Sequence, residues 1–326
     1  MAWLHGGLPQ TGQPRWIDRE PPSRHRPSPM QAYPAPALAL VDAMRATAAA
    51  ARGRAIAFQG APGAYSHQAV LRVAPDALPV PCFSFEDAIQ AVIDGDVAEA
   101  VIPVENSLHG RVADVHFLLP ESGLSIVGET YVKVEHCLLA VPGARMGDLA
   151  EVISHPQALG QCRRRLKSLG LRPVAYADTA AAGAEIMARG DLALGAIASA
   201  LAAQLYGCQI LLRNLEDAAH NRTRFLVLAR SPRAKAPEEP AKTTLAFEVK
   251  NIPAALFKAL GGFATNGVNL TRLESHLSGG SFTAAQFLID IAGSPDEPSV
   301  ARALEELAFH SKWVRILGTY GAALLD

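Results

Sequence analysis

The stretch Gly95-Asp96-Val97-Ala98-Glu99-Ala100-Val101-Ile102 is matched further along the chain by Gly190-Asp191-Leu192-Ala193-Leu194-Gly195-Ala196-Ile197. In each copy a Gly-Asp turn leads into an apolar run of the kind that forms a buried strand. The constant shift of 95 residues (190 − 95) also aligns predicted strands at Phe58 and Ile153. The repeat therefore predicts two similar α/β units, with chance similarity between two such units as the alternative.

Each copy belongs to a strand-helix-strand-helix-strand unit. In the first unit the predicted elements are strand Ala55–Phe58, helix Tyr65–Val73, strand Leu78–Cys82, helix Phe85–Ile93 and strand Ala98–Ile102. In the second unit they are strand Val152–Ser154, helix Ala158–Leu169, strand Pro173–Tyr176, helix Ala180–Ala188 and strand Leu194–Ala198. Ser84 and, at the same shift, Thr179 are predicted to cap the helices that follow them. We expect an α/β fold of two similar lobes with a ligand cleft between them, as in periplasmic binding proteins.

The chain must pass between these lobes twice. Glu129–Val141 is extended and is predicted to lead into the second lobe, while Gln209–Leu215 and Arg224–Ala229 are predicted strands that return to the first. We therefore assign lobe one to about residues 54–128 and 209–230, and lobe two to about residues 129–208. On this interpretation Asn221–Arg224 lies at the crossover, beside the cleft.

A smaller domain follows a linker. Residues 231–242 contain three prolines among alternating charges, which is typical of a linker. Residues 243–321 have the order β-α-β-β-α-β of a ferredoxin-like domain. The predicted elements are strand Thr243–Val249, helix Ala254–Thr265, strands Val268–Glu274 and Phe282–Ile291, helix Val300–Ala308 and strand Val314–Leu317.

Residues 1–53 are predicted to be a disordered or poorly ordered leader. The first 35 or so carry many prolines and scattered arginines with little apolar periodicity. Leu38–Arg52 has the composition of an alanine-rich helix, to which we attach no function.

The composition argues against several classes of partner. Lys and Arg number 30 and Asp and Glu 31, so a net charge of −1 gives no support for a nucleic-acid or anionic-membrane partner. No apolar run predicts a membrane span, and no secretory signal is recognisable. The four cysteines show no paired spacing, which predicts reduced thiols in a cytoplasmic protein. The histidines lack the spacing of metal ligands, so we expect no metal site.

Polar residues stand at the ends of several predicted strands. They lie in Gly60–His67, Glu105–Ser107, Ser154–Gln157, Ser199 and Asn221–Arg224, the last of which precedes the buried run Phe225–Leu228. Helix N-termini offer unpaired backbone N–H groups that favour anions, although each group taken singly is an ordinary cap or strand start. Their convergence on one cleft predicts a small carboxylated ligand. No dinucleotide, P-loop or nucleophile-elbow motif stands in the required context, so we expect no cofactor.

The order and spacing of these motifs resemble those of the prephenate dehydratase family. The motifs are Phe58–His67, Pro103–Ser107, Ser154–Gln157 with Gln161-Cys162, and Asn221–Phe225. Asn251–Leu256 and Gly267–Ser275 resemble the ACT regulatory domain at the C-terminus of that family. The resemblance covers about residues 54–321. It implies a carbon-oxygen lyase that converts prephenate to phenylpyruvate, with loss of carbon dioxide and of the ring hydroxyl. No chorismate-mutase-like helical segment precedes it, so we expect a monofunctional enzyme.

The resemblance also implies roles for individual residues. The essential threonine of the family falls on Thr223, which would donate to the leaving hydroxyl, while Asn106 and Gln161 would position it or share the proton load through water. The residues expected to bind substrate are Ser66, Glu105, Ser107, Ser154, His155, Gln157, Thr179 and Arg224. For Arg224 a structural ion pair is the equal alternative.

The ACT-like segment implies feedback inhibition by phenylalanine, across an ACT–ACT interface in a homodimer or homotetramer. The expected effector-binding residues are Ala254, Ala255, Leu256, Asn269, Leu270, Glu274 and Ser275. Two departures bear on this expectation. Ala254 replaces the glycine of the Gly-Ala-Leu motif, and its Cβ leaves less room for a ligand to approach the backbone. His276-Leu277 replaces the Arg-Pro of Glu-Ser-Arg-Pro, which removes an arginine from the polar frame.

Two other functions remain open from the sequence. The enzyme could prefer arogenate, whose amine needs a local acceptor that the sequence does not identify. Alternatively, two lobes and an amino-acid-sensing domain could make a non-catalytic binding protein, although a pure binder has no need of the donor at Thr223.

Overall fold

The computed structural model describes residues 33–233, 239–277 and 285–324. The helices of this part of the chain are α1 (Ala35–Ala49), α2 (Tyr65–Val73), α3 (Phe85–Ile93), α4 (Ala113–Glu121), α5 (Pro156–Gln161), α6 (Arg163–Ser168), α7 (Thr179–Arg189), α8 (Ala200–Tyr206), α9 (Ala255–Thr265) and α10 (Pro298–His310). The strands are β1 (Ala55–Gln59), β2 (Leu78–Cys82), β3 (Glu99–Asn106), β4 (Gly110–Arg111), β5 (Ser125–Lys133), β6 (Cys137–Ala140), β7 (Glu151–Ser154), β8 (Arg172–Ala175), β9 (Leu194–Ala198), β10 (Gln209–Leu212), β11 (Arg222–Ala229), β12 (Ala241–Val249), β13 (Leu270–Leu277), β14 (Ala285–Ala292) and β15 (Ser311–Gly321). The fold is α/β with mixed sheets.

The repeated stretch forms equivalent strands in two sheets. The first sheet has the order β2-β1-β3-β11-β5, with β4 paired to β3, and the second has the order β8-β7-β9-β6-β10. In each sheet the three strands of the repeat unit are parallel, and the fourth strand, β11 or β6, runs antiparallel to them. The repeats in β3 and β9 therefore occupy the same position, as their equal spacing predicts.

The crossovers between the two sheets differ from the predicted boundaries. β5 remains in the first sheet as far as Lys133, where it pairs with β11. β10 pairs antiparallel with β6, so Gln209–Leu212 belongs to the second sheet, and the prediction that it returns to the first was wrong. A short apolar strand carries no local signal of which distant strand it will pair with. The chain returns to the first sheet at β11, and Asn221 directly precedes that return.

The alanine-rich helix predicted at Leu38–Arg52 is present as α1, so the prediction of a disordered or poorly ordered leader was wrong for residues 33–53; residues 1–32 lie outside the described part. One side of α1 buries Ala37, Val41 and Ala48. Arg45 on the same helix donates from Nη2 to the carbonyl of Pro81 at 2.9 Å. The buried face of α1 is largely alanine, so its sequence shows little apolar periodicity even though the small side chains pack closely.

Of the two predicted helix caps, one is confirmed and the other is displaced by one residue. Ser84 caps α3 in a reciprocal capping box with Asp87, as predicted. The cap of α7 is Asp178, whose Oδ1 accepts from the backbone N–H of Ala181 at 2.8 Å, and Thr179 is the first helical residue. Both residues are good cap types, and Asp178 is additionally held by the backbone N–H of Ala61 at 3.4 Å.

The third sheet has the order β13-β14-β12-β15, and its elements follow the predicted β-α-β-β-α-β sequence. One of its faces packs on α9 and α10 around Phe247 and Phe263. The other face shares a core with the first sheet, in which Leu288 and Tyr320 belong to the same cluster as Leu226. Within the described ranges, no helix has both the length and the apolar character that a membrane crossing requires.

Candidate active site

The end of β3 and the start of β11 lie side by side. In their antiparallel register Thr223 is opposite Asn106 and Arg224 is opposite Glu105. The register shifts directly after Arg224, because Phe225 pairs with the residue two places before Glu105. Such a bulge re-aims side chains and is common beside active sites. The crossover predicted from the sequence therefore places the threonine next to the asparagine.

The Asn106 amide holds the Thr223 hydroxyl directly. Asn106 is 7% exposed, and its Nδ2 donates to Oγ1 of Thr223 at 3.0 Å and to Oδ1 of Asn221 at 2.8 Å. Its Oδ1 accepts from the backbone N–H groups of Leu108 and His109, both at 3.0 Å. An amide nitrogen only donates, so Oγ1 of Thr223 must accept this bond. The hydrogen of the Thr223 hydroxyl is thereby left for another acceptor.

A chain of polar contacts continues from Asn106 to Gln161 on α5. Nδ1 of His109 lies 3.2 Å from Oδ1 of Asn106 and 3.2 Å from Nε2 of Gln161. Oε1 of Gln161 lies 2.6 Å from Nε2 of His136, and Nδ1 of His136 lies 3.0 Å from the hydroxyl of Tyr65. The three residues predicted to be catalytic, Thr223, Asn106 and Gln161, thus lie along one chain of contacts through His109. Nδ1 of His109 hydrogen-bonds only one of the two amides in a given tautomer, because Oδ1 of Asn106 only accepts and Nε2 of Gln161 only donates.

His109, His136 and Tyr65 were not among the predicted site residues. His136 is 2% exposed, and burial lowers its pKa, so the ring is neutral near pH 7. An amide oxygen only accepts, so the hydrogen of neutral His136 is on Nε2 and donates to Gln161. Burial raises the pKa of Tyr65, which keeps its hydroxyl protonated. The sequence could have indicated His109, because it lies three residues after the motif residue Asn106. It does not indicate His136, whose contact with Gln161 forms only when α5 packs against it.

The predicted serines fall in three different settings. Ser107 lies beside the start of β11, where its Oγ accepts from the backbone N–H of Arg222 at 2.9 Å. Ser66 is 7% exposed in the first turn of α2, next to Tyr65. Ser154 is fully buried, and its Oγ donates to the carbonyl of Ile197 at 2.7 Å. This bond ties β7 to β9, so the geometry of Ser154 favours a structural role.

Three predicted binding residues lie at helix starts of the second unit. His155 caps α5, with Nδ1 accepting from the backbone N–H of Gln157 at 3.3 Å, and both side chains are exposed. Thr179 is half-buried at the start of α7, beside Asp178. Burial raises the pKa of Asp178, and its bonds to backbone N–H groups act in the opposite direction.

Arg224 lies on the opposite side of β11 from Thr223, since consecutive strand residues point to opposite faces. It is 5% exposed and forms ion pairs with Glu129 at 2.7 Å and Asp290 at 2.5 Å. Burial by itself lowers the pKa of Arg224, but these carboxylates offset the effect and its pKa is raised. Glu105 lies nearby, with Oε2 4.0 Å from Nη1 of Arg224. The contacts therefore favour the structural ion pair over a substrate role for Arg224.

The glycine loop after β1 packs against the second unit. Ser199 donates from Oγ to the carbonyl of Gly63 at 2.6 Å, and Tyr206 donates to the carbonyl of Pro62 at 2.8 Å. Inside the loop, the N–H of Gly63 donates to Nδ1 of His67 at 3.1 Å. His67 stacks on Phe58, and burial lowers its pKa to about 4. The loop therefore connects the first repeat unit to the second through hydrogen bonds.

Thiol and metal chemistry receive no support from the described residues. All four cysteines are free, and burial raises the pKa of each one. Across the described ranges, no three His, Cys, Asp or Glu side chains group as metal ligands would.

The predicted effector residues belong to the third sheet and its first helix. Ala254 caps α9 in the left-handed region, with φ of +59°, and Ala255 and Leu256 begin the helix. Asn269 and Leu270 stand at the start of β13. Further along β13, Arg111 donates to the carbonyl of Ser275 at 2.8 Å and lies 3.7 Å from the carboxylate of Glu274.

The family model for prephenate dehydratase matches residues 56–233. A Komagataeibacter europaeus protein named bifunctional N-acyl-homoserine lactone acylase/prephenate dehydratase is 51% identical over 271 residues, which cover 83% of this chain and 96% of that protein. An Arabidopsis thaliana protein named arogenate dehydratase/prephenate dehydratase 1, chloroplastic, is 40% identical over 279 residues, 81% of this chain and 71% of that protein. A solved prephenate dehydratase from Arthrobacter aurescens, in complex with L-Phe, is similar in structure with a TM-score of 0.76 and 29% identity. That match covers 82% of this chain and 90% of that chain.

Proposed function

The chain belongs to the prephenate dehydratase family, whose members are lyase-type dehydratases, and from that premise we propose that it converts prephenate to phenylpyruvate. The reaction removes carbon dioxide and the ring hydroxyl. The observation that carries the proposal is the hydrogen bond from Asn106 Nδ2 to Thr223 Oγ1 at 3.0 Å, with Gln161 on the same chain of contacts through His109.

The reaction requires a proton donor near the leaving oxygen, and it does not require a strong base. The product ring is aromatic, so loss of carbon dioxide runs downhill once the hydroxide begins to leave. Thr223 is suited to this role, because its oxygen accepts from Asn106 and its hydrogen remains free to donate to the substrate. Accepting a hydrogen bond also polarises the O–H group, which strengthens it as a donor.

We propose that the first two sheets and their helices form two lobes, with the substrate in a cleft between them. Gln161 comes from the second lobe, whereas Thr223 and Asn106 come from the first. The polar chain through His109 and Gln161 supports this arrangement. Ser66, Ser107, His155, Gln157 and Thr179 would then bind substrate oxygens.

We propose that the third sheet with α9 and α10 is an ACT domain that binds phenylalanine and inhibits the enzyme. The L-Phe complex of the Arthrobacter aurescens relative supports phenylalanine as the effector. Phe257 on α9 and Phe309 on α10 are 80% and 74% exposed, and we propose that they contact a second copy of the chain. A homodimer or homotetramer is proposed on this basis, and the four free thiols support the cytoplasm as its location.

Arogenate is a second candidate substrate, because the Arabidopsis thaliana relative carries both activities in its name. Amide hydrolysis of N-acyl-homoserine lactones is a further candidate, since the relative with 51% identity carries that activity in its name. The raised pKa values of the cysteines give no support for a thiolate nucleophile in such hydrolysis.

The test is a side-by-side assay of the purified full chain with prephenate, arogenate and an N-acyl-homoserine lactone, with and without millimolar phenylalanine. We expect the highest kcat/KM for prephenate and a lower rate when phenylalanine is added. A higher kcat/KM for arogenate or for the lactone would reject the proposed substrate. An unchanged rate, together with no phenylalanine binding by calorimetry, would reject the proposed effector.

A further inference from the structure

The guanidinium of Arg224 lies on the face of the first sheet opposite to Thr223, where residues of the third sheet bind it. Its Nη1 donates to Oδ2 of Asp290 on β14 at 2.5 Å, and its Nη2 donates to the hydroxyl of Tyr320 on β15 at 3.1 Å. Its Nε donates to Oε2 of Glu129 on β5 at 2.7 Å. Asp290 and Tyr320 are each 1% exposed. Two carboxylates, Glu129 of the first sheet and Asp290 of the third, therefore hold the guanidinium of Arg224, and Glu129 also accepts from Nζ of Lys242 on β12 at 2.5 Å.

The carboxylate of Asp290 is itself fixed in place. Its Oδ1 accepts from the hydroxyl of Thr244 on β12 at 2.6 Å, while its Oδ2 accepts from Arg224. The Thr244 hydroxyl also lies 2.6 Å from that of Tyr320. Because both oxygens of Asp290 are bonded in a buried site, its carboxylate cannot turn away from Arg224 without leaving a charge unpaired.

Two dipeptides, Thr223-Arg224 on β11 and Glu105-Asn106 on β3, each have one side chain at the proposed active site and one charged side chain on the opposite face of the first sheet. Thr223 and Arg224 are consecutive on β11, so their side chains leave opposite faces of the first sheet. On β3 the same alternation separates Asn106, bonded to Thr223, from Glu105, whose Oε2 lies 3.8 Å from Nε of Arg272 on β13. Residues of the third sheet thus contact Arg224 and Glu105, the sequence neighbours of Thr223 and Asn106.

We propose that Asp290 is a positioning residue for the dehydration: its carboxylate fixes Arg224 and, through one peptide of β11, the direction of the Thr223 hydroxyl. The inference rests on the proposed role of Thr223 as donor. A displacement of about 1 Å at a reacting group can lower a rate by about 100-fold. A small rotation of the Thr223-Arg224 peptide therefore suffices to change kcat. Substrate affinity depends on other residues of the cleft and changes less.

The test compares Asp290→Asn with a matched variant of the same sheet. Asp290→Asn keeps the shape of the side chain and removes its charge. Thr243→Val is the control, because Thr243 is fully buried on β12 and its Oγ1 donates to the carbonyl of Gly293 at 2.8 Å, without contacting Arg224. We expect kcat of Asp290→Asn to fall at least about tenfold, with KM changed less than about threefold. In Thr243→Val kcat stays within about twofold of wild type, although the thermal midpoint falls in both variants.

Two results overturn the proposal: a kcat of Asp290→Asn within about twofold of wild type, or an equal fall of kcat in Thr243→Val. If Asp290→Asn does not fold, Tyr320→Phe decides, because it removes one partner of Arg224 and keeps all charges. A kcat lowered at unchanged KM then supports the proposal, and an unchanged kcat overturns it. Thr223→Ala in the same assay distinguishes a failure of the proposed donor role of Thr223 from a failure of the proposed positioning role of Asp290. Retained turnover there rejects the donor and this inference together, whereas lost turnover beside a normal Asp290→Asn rejects this inference alone.

Discussion

Gly63→Ala tests how the loop after β1 joins the two α/β units. Gly63 has φ of +93°, and a Cβ at this position would lie 2.6 Å from Cα and 2.9 Å from N of Ala202 on α8. Its carbonyl accepts from Ser199 at 2.6 Å. The substitution therefore strains the backbone, pushes α8 away and weakens a buried hydrogen bond.

Gly143 is a matched control for the backbone strain alone. Its φ is +92°, and no atom lies within 4 Å of the Cβ that alanine would add. The left-handed conformation costs a non-glycine residue about 1–2 kcal/mol in both variants. Only Gly63→Ala adds an overpacking cost of about 1–3 kcal/mol and the weakened hydrogen bond, worth about 1 kcal/mol.

We expect the free energy of unfolding of Gly63→Ala to be lower than that of Gly143→Ala by about 2–4 kcal/mol. Urea denaturation followed by circular dichroism measures this difference. Turnover of prephenate should fall only in Gly63→Ala, because Tyr65 and Ser66 directly follow the loop. Equal free energies of unfolding in the two variants would refute the close packing of this loop on α8.

Three further substitutions have defined outcomes. Ala254→Gly relieves a left-handed φ of +59° and should raise the free energy of unfolding by about 0.5–1 kcal/mol after the entropy cost of glycine; a lower thermal midpoint would contradict this. His67, with its pKa lowered to about 4 by burial, is neutral in the folded state over a range where the unfolded chain binds a proton. Its contribution to stability is therefore complete above about pH 6.5 and falls by about 3 kcal/mol as the pH drops to 4. His67→Gln should flatten this part of the pH dependence, and an identical slope in both proteins would show that His67 is not the group. Ser154→Ala should lower the free energy of unfolding by about 1 kcal/mol through loss of the bond to Ile197, whereas a large rise in KM would restore its predicted role in binding.

The local pattern was sufficient to predict the strand-helix-strand-helix-strand unit in each of the first two sheets. The apolar runs of β3 and β9 are readable because a strand covered on both faces is apolar throughout. Motif order placed Thr223 and Asn106 in one site, and the antiparallel register of β3 and β11 puts them directly opposite each other.

Contacts between distant segments account for what the sequence did not predict. The sequence alone favours neither a substrate role nor an ion pair for Arg224, because its partners Glu129 and Asp290 lie 95 and 66 residues away. The same limit applies to His136, which meets Gln161 only after α5 has packed, and to β10, whose partner strand precedes the second repeat.

The proton donor is tested most directly by the rate of phenylpyruvate formation in Thr223→Ala and Thr223→Ser. We expect kcat of Thr223→Ala to fall by at least about 100-fold, the usual loss when a single donor to a developing anion is removed. Thr223→Ser should retain much of the rate, because a hydroxyl remains to accept from Asn106 Nδ2 and to donate to the substrate. Near-normal turnover by a folded Thr223→Ala protein would contradict the assignment of Thr223 as the donor.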